Sequence, residues 1–455
     1  MIFHFIGIGG IGMSALAEIL HEYGETVQGS DVSENASVKR LQAKGIKVFI
    51  GHDAKNLPAD GVAVISTAIP KDNVELNAAR NRSMDVVHRA DILAKILKDY
   101  TEKSVAISGT HGKTTTTALT YSLMDACGID TGVINGGVIE SIGTNAKMSK
   151  EWMVAEADES DGSFTKLHAT IAVVTSMDPE HMEHYGGMDK VRSSYKEFVS
   201  HVPDDGFAVL SAEDGDVRCL AALQERNSFF YGFSEMADVR AVNIRQENYT
   251  TIFDLEAFGE EYDSIILNMP GKHNVQNALA AILVCLKLGG KVEDMRMALA
   301  NFAGVGRRFN KLGTLENMTV IDDYGHHPVE ITATLQAAKK VFKGKILAVV
   351  QPHRYSRLQD LMSGFAKSVA YADAILVAPV YSAGEDPIEG VSAETLAEAI
   401  KSTGKAVLTV VDEDDLKARV IEAQKGWGGD QNAVICLGAG SISQWAHSLC
   451  KSTDE

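Results

Sequence analysis

The sequence is poor in cysteine and in positive charge, and both shortages exclude classes of protein. Its five cysteines are scattered over 455 residues and form no CxxC pair, which is typical of a reduced, intracellular chain without a disulfide framework or a zinc site. Acidic residues outnumber basic ones by 61 to 43, and the formal net charge is −18. Because nucleic acids and anionic membranes require a basic surface, neither is an expected partner.

Long uninterrupted apolar runs are also missing. Residues 1–20 resemble a signal peptide or a membrane span in composition, but they contain Glu18 and several glycines and lack a basic start. These features are untypical of both kinds of segment, and no other stretch has the length of a span. We therefore expect a cytoplasmic protein; the sequence leaves open whether it is a monomer or a homodimer.

The chain is longer than one hydrophobic core usually supports, so we expect two or three domains. Apolar runs typical of strands alternate with amphipathic runs typical of helices, which predicts an α/β fold of parallel βαβ units. The alternation falls into three blocks, at residues 1–99, 100–306 and 307–455. The main predicted elements are strands at 1–7, 26–30, 62–66 and 103–108, extra strands within 235–268, and helices at 11–23, 36–44, 90–98, 358–370 and 392–402.

A phosphate-binding loop is predicted at GTHGKT, residues 109–114, because the motif follows an apolar strand and precedes a helix. The loop amides and the helix N-terminus favour binding of an anion, and Lys113 can reach the outer phosphates of a nucleotide bound there. The hydroxyl of Thr114 has the spacing of a Mg²⁺ ligand. One departure is that Ile107 stands where a full P-loop has glycine. The alternative is a glycine turn with a solvated lysine.

Acidic residues follow the next apolar run, in EADESDGSF at 156–164. Carboxylates gathered at the end of a parallel strand repel one another unless cations are bound. Mg²⁺ held by one or two carboxylates and nucleotide phosphates fits this pattern, with Glu156 as the first ligand. His181, in DPEHMEHYG, is a candidate ligand of a second cation. A solvated acidic patch and a structural histidine are the alternatives.

A second glycine motif, GIGGIG at 7–12, matches the dinucleotide fingerprint, and Asp31 closes the next strand as a ribose-binding acid does. Alone, the motif suggests an NAD-dependent enzyme. A UDP-sugar also carries a pyrophosphate and a ribose, however, and a dehydrogenase needs no second phosphate loop with acids beside it. Together the two loops favour an ATP-driven enzyme that acts on a nucleotide-linked substrate.

Two polar loops are predicted at strand ends of the third block. DDYGHHP places Asp323, Tyr324 and His326 where α/β sheets keep their sites. QPHRYSR contributes Arg354 and Arg357, which would share a face if the segment is helical and suit a carboxylate or a phosphate. The alternative is an ordinary surface ion-pair network.

These motifs together resemble the Mur ligase family, the ATP-dependent amide ligases of peptidoglycan synthesis. The similarity extends in the family's order from GIGGIGMSALAEIL at residue 7, through GTHGKTTTT, EADESDGSF, GKHNVQNALAA and DDYGHHP, to GAGSI at residue 442. It is strongest to the branch that joins L-alanine to the lactyl carboxylate of UDP-N-acetylmuramate through an acyl phosphate. The resemblance implies a Rossmann-like UDP-binding domain, a central P-loop ATPase domain and a Rossmann-like carboxy-terminal domain.

The resemblance also implies the residues of each site. ATP is expected at Gly109, Thr110, His111, Gly112, Lys113, Thr114, Thr115, His273, Asn274, Asn277, Arg308 and Asp323, with Mg²⁺ at Thr114, Glu156 and His181. The UDP-sugar is expected at Gly9, Gly10, Asp31, Ser66 and Thr67, and the amino acid at Tyr324, His326, Arg354 and Arg357. Lys113, His326, Arg354 and Arg357 are the expected catalytic residues.

One position departs from several other members of the family, which carry a carbamylated lysine after the central histidine motif. Here Tyr195 falls at that position, with Lys196 beside it. The alternatives that stay open are a recycling ligase that attaches a preformed tripeptide to UDP-N-acetylmuramate, a folylpolyglutamate synthetase, an NAD-dependent oxidoreductase, and a regulator that binds ATP without turnover.

Overall fold

The computed structural model describes residues 1–222, 227–429 and 431–450. The chain divides into two compact units. The first contains Met1–Asn243, Phe253–Ile265 and Gln276–Ala303, and the second contains Ile244–Ile252, Ile266–Val275 and the chain from Gly304 onward. Among the described residues, no helix is both long and apolar enough to cross a membrane.

The amino-terminal residues form a parallel sheet of five strands in the order β3-β2-β1-β4-β5. The predicted strands and helices are confirmed to within three residues, whereas β3, α3 and β5 are additional. These three are short and carry few fully buried side chains, so their sequences lack a clear apolar period. The elements are β1 (Ile2–Ile6), α1 (Ile11–Glu22), β2 (Thr26–Asp31), α2 (Ala36–Ala43), β3 (Lys47–Ile50), β4 (Val62–Ile65), α3 (Val74–Asn81), β5 (Asp85–His88) and α4 (Arg89–Lys95).

The central sheet has ten strands, in the order β15-β14-β13-β12-β11-β10-β6-β9-β7-β8. Its strands are β6 (Lys103–Ser108), β7 (Thr131–Ile139), β8 (Thr144–Lys147), β9 (Trp152–Glu156), β10 (Ile171–Val174), β11 (Phe207–Ser211), β12 (Ser228–Gly232), β13 (Val239–Glu247), β14 (Thr250–Ala257) and β15 (Glu260–Leu267). Its helices are α5 (Lys113–Ala126), α6 (Met182–Tyr185), α7 (Met188–Ser200), α8 (Gly215–Ala222), α9 (Lys272–Lys287) and α10 (Val292–Ala300). The strands predicted within 235–268 are confirmed as β13, β14 and β15.

Strand β6 lies inside this sheet and pairs in parallel with β9 on one side and β10 on the other. Its residues Val105, Ala106 and Ile107 are fully buried, which agrees with a strand that is covered on both faces. The carboxyl ends of the three strands therefore meet at one edge. The phosphate loop after β6 and the acids after β9 leave the sheet there.

The carboxy-terminal residues form a sheet of six strands in the order β16-β17-β21-β18-β19-β20, parallel except for the β16–β17 pair. Its elements are β16 (Asn310–Leu315), β17 (Met318–Asp323), α11 (Pro328–Val341), β18 (Ile346–Val350), α12 (Tyr355–Ser368), β19 (Ala374–Val377), α13 (Ala393–Lys401), β20 (Val407–Thr409), α14 (Glu413–Ala423), β21 (Asn432–Leu437) and α15 (Ile442–Leu449).

The helix predicted at 358–370 is confirmed as α12, which begins earlier than predicted. Helix α12 begins at Tyr355, and Leu361 has non-helical dihedral angles within it. Arg354 lies just before the helix, with φ +75°, so Arg354 and Arg357 do not share a helical face. The sequence places the start of the helix too late because QPHRYSR shows no apolar period before Leu358, which is the first fully buried residue of the helix.

Candidate active site

The loop between β6 and α5 is held by the end of β10. Thr110 N donates to Ser176 O at 3.0 Å, His111 N donates to Ser176 Oγ at 3.0 Å, and Thr175 Oγ1 donates to His111 O at 2.5 Å. Gly109 has φ +137°, and a Cβ there would lie 2.0 Å from Thr175 Oγ1. The loop backbone is thus fixed before any ligand binds, as a phosphate-binding loop requires.

Lys113 is the first residue of α5, and its ammonium lies in a cage of oxygens. Its Nζ donates to Gly109 O at 2.6 Å and lies 2.7 Å from Glu159 Oε2. Burial disfavours the charged form, but the carboxylates of Glu159, Asp158 and Glu156 outweigh burial and raise the Lys113 pKa. Lys113 is therefore a permanent cation at the mouth of the loop, where the outer phosphates of a nucleotide would lie.

Glu156 and Thr114 meet beside this loop, as the sequence predicts. Thr114 Oγ1 donates to Glu156 Oε1 at 3.1 Å, and Gly136 N donates to Glu156 Oε2 at 2.7 Å. The predicted ligand His181 lies in a second group. The ligand atoms of Glu159, Glu180 and His181 all lie within 4.8 Å of one another.

The residues present fit Mg²⁺ because hard oxygen ligands converge beside the phosphate loop. The carboxylate of Glu159 is nearly buried, and burial raises its pKa to about 7, an effect that Lys113 partly offsets. The ionised form of a buried carboxylate whose pKa lies near neutrality is stabilised by a further cation. Sequence reading missed Glu159 as a candidate ligand, although it stands three residues after Glu156 in the acidic run.

Tyr195 occupies the turn of α7 that faces this site. It is 1% exposed, its ring centroid lies 4.9 Å from that of Phe164, and burial raises its pKa well above the ordinary value. Lys196, the next residue, is exposed. The buried side chain at this position is therefore a phenol and not a lysine.

The residues predicted for the adenine end lie at the start of α9. Asn274 is buried, and its Nδ2 donates to Pro270 O at 2.8 Å. Asn277 lies beside the phosphate loop, since a Cβ on Gly112 would be 2.4 Å from its Oδ1. Gly112 has φ +82°, so both its backbone conformation and its contact with Asn277 require a glycine.

The amino-terminal glycine loop is held by Asp31, for which the sequence predicts a different role, that of a ribose-binding acid. Gly9 N donates to Asp31 Oδ2 at 2.8 Å, and Asn35 Nδ2 donates to Gly9 O at 3.2 Å. Gly10 precedes the first turn of α1 without a side-chain cap, so the helix amides face the loop. Ser66 and Thr67 follow β4, and Ile69 of the same turn packs against Gly7.

Arg89, which the sequence analysis did not select, lies between this loop and the acidic run. One guanidinium nitrogen lies 2.8 Å from the position of a Cβ on Gly12, in the first turn of α1. The other pairs with Asp158, and this contact lowers the Asp158 pKa against the effect of burial. The HRAD segment gives no sign of this role, because only the fold brings it to the helix N-terminus.

The second unit gathers a cluster of cations and rings that we call the His326 cluster: Arg307, Arg308, Tyr324, His326, His353, Arg354 and Arg357. The His326 ring centroid lies 5.1 Å from that of Tyr324 and 5.6 Å from that of His353. Arg307 and Arg308 lie over the Tyr324 ring at 4.7 and 5.0 Å. The structure thus brings together the four residues predicted to meet the amino acid.

Charge in the His326 cluster keeps one histidine neutral. Burial, together with the charges of His326, Arg357 and Arg354, lowers the His353 pKa to about 3. Arg357 Nη1 donates to His353 O at 3.2 Å, and Arg354 Nη1 lies 3.9 Å from Glu385 Oε1. A site with several guanidiniums and a neutral imidazole suits an anionic group such as an α-carboxylate.

Asp323, predicted at the ATP site, accepts three hydrogen bonds within the second unit. They come from Phe309 N at 2.9 Å, Gly325 N at 2.9 Å and Thr334 Oγ1 at 3.1 Å. Burial raises its pKa to about 6, although Arg308 opposes the shift. Asp323 therefore ties the segment after Arg308 to β17 and α11, and a nucleotide role for both residues stays a prediction.

Comparison with known proteins assigns a class to this combination of sites. Three family models match successive segments of the chain: the Mur ligase family catalytic domain at residues 2–101, the Mur ligase middle domain at 107–285, and the Mur ligase glutamate ligase domain at 307–440. The chain belongs to the Mur ligase family and has its three-domain α/β fold.

Individual relatives narrow the comparison to one branch. The UDP-N-acetylmuramate–L-alanine ligase of Sinorhizobium medicae is 50% identical over 99% of this chain and 97% of its own length. That of Agrobacterium fabrum is 49% identical over 98% of this chain and 95% of its own. The crystal structure of the Thermotoga maritima UDP-N-acetylmuramate–alanine ligase is similar with a TM-score of 0.84, at 29% identity, and covers 99% of this chain and 98% of the other.

Proposed function

We propose that this protein joins L-alanine to the lactyl carboxylate of UDP-N-acetylmuramate, in an ATP-dependent, ADP-forming reaction of peptidoglycan synthesis. The observation that carries the proposal is the presence of two glycine loops in one unit. One loop carries Lys113 beside Glu156 and Thr114, and the other precedes α1 and Arg89. The near-complete alignment with L-alanine ligases supports the choice of substrates.

In the first step, a lactyl carboxylate oxygen attacks the γ-phosphorus of ATP, the bond to the β,γ-bridging oxygen breaks, and ADP leaves. An acyl phosphate forms. Lys113 offsets negative charge on the transferred group from the mouth of the loop, so it acts by position and charge. Thr114 and Glu156, with Glu159 and His181 nearby, are the residues that would hold Mg²⁺, which supplies further charge neutralisation when bound.

In the second step, the amine of L-alanine attacks the acyl carbon, and phosphate leaves from the tetrahedral intermediate. An ammonium cannot attack, so a base must first remove a proton. His326 is the candidate by its location, because its ring lies beside Tyr324 and His353 in the cluster that carries Arg354 and Arg357. The guanidiniums of Arg354 and Arg357 would hold the α-carboxylate.

The amino-terminal loop binds the other substrate in this proposal. The amides at the start of α1 and the guanidinium of Arg89 suit the diphosphate of a UDP-sugar. Asp31 shapes this loop through its bond to Gly9 N. The arrangement needs no nicotinamide, because the two phosphate loops and the cluster of carboxylates describe phosphoryl transfer and not hydride transfer.

A phosphate-release assay with a panel of acceptors tests the proposal. With UDP-N-acetylmuramate and Mg·ATP present, ADP and phosphate should form only when L-alanine is added. Phosphate release that does not depend on L-alanine but requires a free tripeptide would instead identify a recycling ligase. If ATP binds but no phosphate is released with any acceptor, the protein would be a regulator that binds ATP without turnover. Glycine and L-serine in the same panel measure how strictly the acceptor is chosen.

A further inference from the structure

Two cysteines of the first unit lie side by side although they are far apart in the sequence. Cys127 follows the last turn of α5, and Cys285 lies in the last turn of α9. Gly290 covers the Cys127 sulfur, because a Cβ on Gly290 would lie 2.7 Å from Cys127 Sγ, and its amide donates to Cys285 O at 2.9 Å. The Cys127 sulfur lies beside the backbone of Cys285, since a Cβ on Gly290 would also lie 3.0 Å from Cys285 O.

The two thiols differ in exposure and in acidity. Cys127 is partly exposed, whereas Cys285 is fully buried. The neighbouring Cys285 side chain lowers the Cys127 pKa, with help from the Lys291 backbone and against partial burial, whereas burial raises the Cys285 pKa. Since the thiolate is the nucleophile, Cys127 is the thiol that reacts first with an oxidant from solvent.

We propose that Cys127 and Cys285 are an oxidation site, which a peroxide converts into an intramolecular disulfide. The Cys127 thiolate attacks one oxygen of hydrogen peroxide, the O–O bond breaks, and the departing hydroxide takes a proton to become water. Cys127 is then a sulfenic acid. The Cys285 sulfur loses its proton and attacks the Cys127 sulfur, the S–O bond breaks, and a second water leaves. Two thiols lose two electrons, and the peroxide gains them.

The site is placed to influence the nucleotide loop. Helix α5 begins at Lys113 and ends at Ala126, just before Cys127, so the phosphate loop and the thiol lie at opposite ends of one helix about 20 Å long. Helix α9 carries Asn277 against Gly112 near its start and Cys285 in its last turn. A bond between Cys127 and Cys285 would tether the carboxyl ends of the two helices, and Asn277 of α9 contacts Gly112 of the nucleotide loop. Coupling to ATP binding rests on the proposed function.

The chemistry is tested on the full chain by treatment with hydrogen peroxide, alkylation with N-ethylmaleimide, and peptide mass spectrometry. We expect a 127–285 disulfide peptide that dithiothreitol abolishes. In C285S the reaction should stop at a Cys127 sulfenic acid that dimedone traps, and in C127S Cys285 should stay reduced. Cys219, which is exposed, supplies the matched control C219S, which should form the same disulfide. Circular dichroism checks that each variant is folded.

The proposal is overturned if Cys127 and Cys285 both remain alkylatable when Cys219 is already oxidised.

The coupling between the disulfide and ATP binding is tested by calorimetry of ATP with the reduced and oxidised chain. Oxidation should change the ATP affinity by about fivefold or more, reversibly, in the wild type and not in C285S. An unchanged affinity in an oxidised chain would reject the coupling alone. Absence of ATP binding to the reduced chain would instead count against the proposed function, while the disulfide result stands independently.

Discussion

Arg89 and Asp158 form an ion pair that joins the amino-terminal glycine loop to the acidic run after β9. The same guanidinium lies against Gly12 in the first turn of α1. Asp158 stands two residues after Glu156, which meets Thr114 at the start of α5. One arginine therefore contacts the region of both proposed nucleotide sites and fixes their separation within the first unit.

We expect Arg89→Lys to weaken binding of the UDP-sugar, because lysine cannot contact both Asp158 and a diphosphate through one planar group. The dissociation constant for UDP-N-acetylmuramate should rise about tenfold, with ATP affinity changed less. Calorimetry with each nucleotide measures both. Arg82→Lys, at an exposed position of the same region, is the control. Equal loss for both nucleotides would show that Arg89 acts only by holding the two domains together.

We expect Lys113→Ala to reduce turnover by about a hundredfold or more, because it removes the cation that offsets phosphoryl charge. UDP-sugar binding should stay within about twofold of the wild type, since the other loop lies in a separate sheet. Phosphate release and calorimetry measure the two effects. Lys103→Ala, at the opposite end of β6, should leave both unchanged. Loss of UDP-sugar binding in Lys113→Ala would contradict separate sites.

We expect Glu156→Gln to raise the Mg²⁺ concentration needed for half-maximal activity, because an amide is a weaker ligand than a carboxylate. Binding of Mn²⁺ in the presence of ADP, followed by electron paramagnetic resonance, gives a readout that does not depend on turnover. Glu151→Gln, at an exposed position before β9, is the matched control. If metal binding is unchanged while activity falls, Glu156 only orients Thr114.

We expect Arg357→Ala to raise KM for L-alanine by about tenfold and to leave KM for ATP nearly constant, because a charged hydrogen bond to the α-carboxylate is lost. Initial-rate kinetics with each substrate varied in turn separates the two values. Lys367→Ala, exposed on the same helix, controls for general effects on α12. An increase confined to ATP would assign Arg357 to the nucleotide instead.

Glu75 provides a test of stability that is independent of catalysis. It is fully buried, and hydrogen bonds from His4, Ser30 and Asn56 outweigh burial and lower its pKa to about 2. A carboxyl group with a lowered pKa stabilises the fold above its unfolded pKa near 4.5, and this stabilisation is lost as the pH falls towards 2.

The ionised form of Glu75 therefore contributes about 3 kcal/mol at neutral pH. Glu75→Gln should lower the thermal unfolding midpoint most at pH 7, and the difference from the wild type should shrink below pH 4.5. Thermal scans from pH 3 to 7 measure it, with the exposed Glu34→Gln as control. A difference that does not vary with pH would mean that the amide disturbs packing and that the charge is unimportant.

Local patterns in the sequence predict the parts of this molecule that depend on local rules. Strand β6, the glycine loop and α5 follow from an apolar run, two glycines and good helix formers, and the meeting of Glu156 with Thr114 follows from the parallel order of strands. Arg89 could not be selected in this way. Its role depends on which loops the folded sheets bring together, and no spacing in the sequence encodes that.

The start of α12 shows a second limit of prediction from the sequence. Arg354 has φ +75°, a conformation that non-glycine residues seldom adopt, and no local propensity predicts it. His327 shows the converse case. In the sequence it stands in DDYGHHP beside the candidate His326, but its side chain caps α11 by accepting from Val329 N, and it is 7% exposed. A capping histidine and a site histidine are indistinguishable until the helix start is known.

Because β6 is hydrogen-bonded along both edges, its register cannot slide independently of its neighbours. Deleting one residue from it would turn every following side chain to the opposite face and draw the lysine-bearing loop back by about 3.3 Å. The proposed ATP-binding loop after β6 is consequently the part of the enzyme that tolerates least change. Acceptor preference, in contrast, could be changed by engineering the loops of the His326 cluster without altering β6.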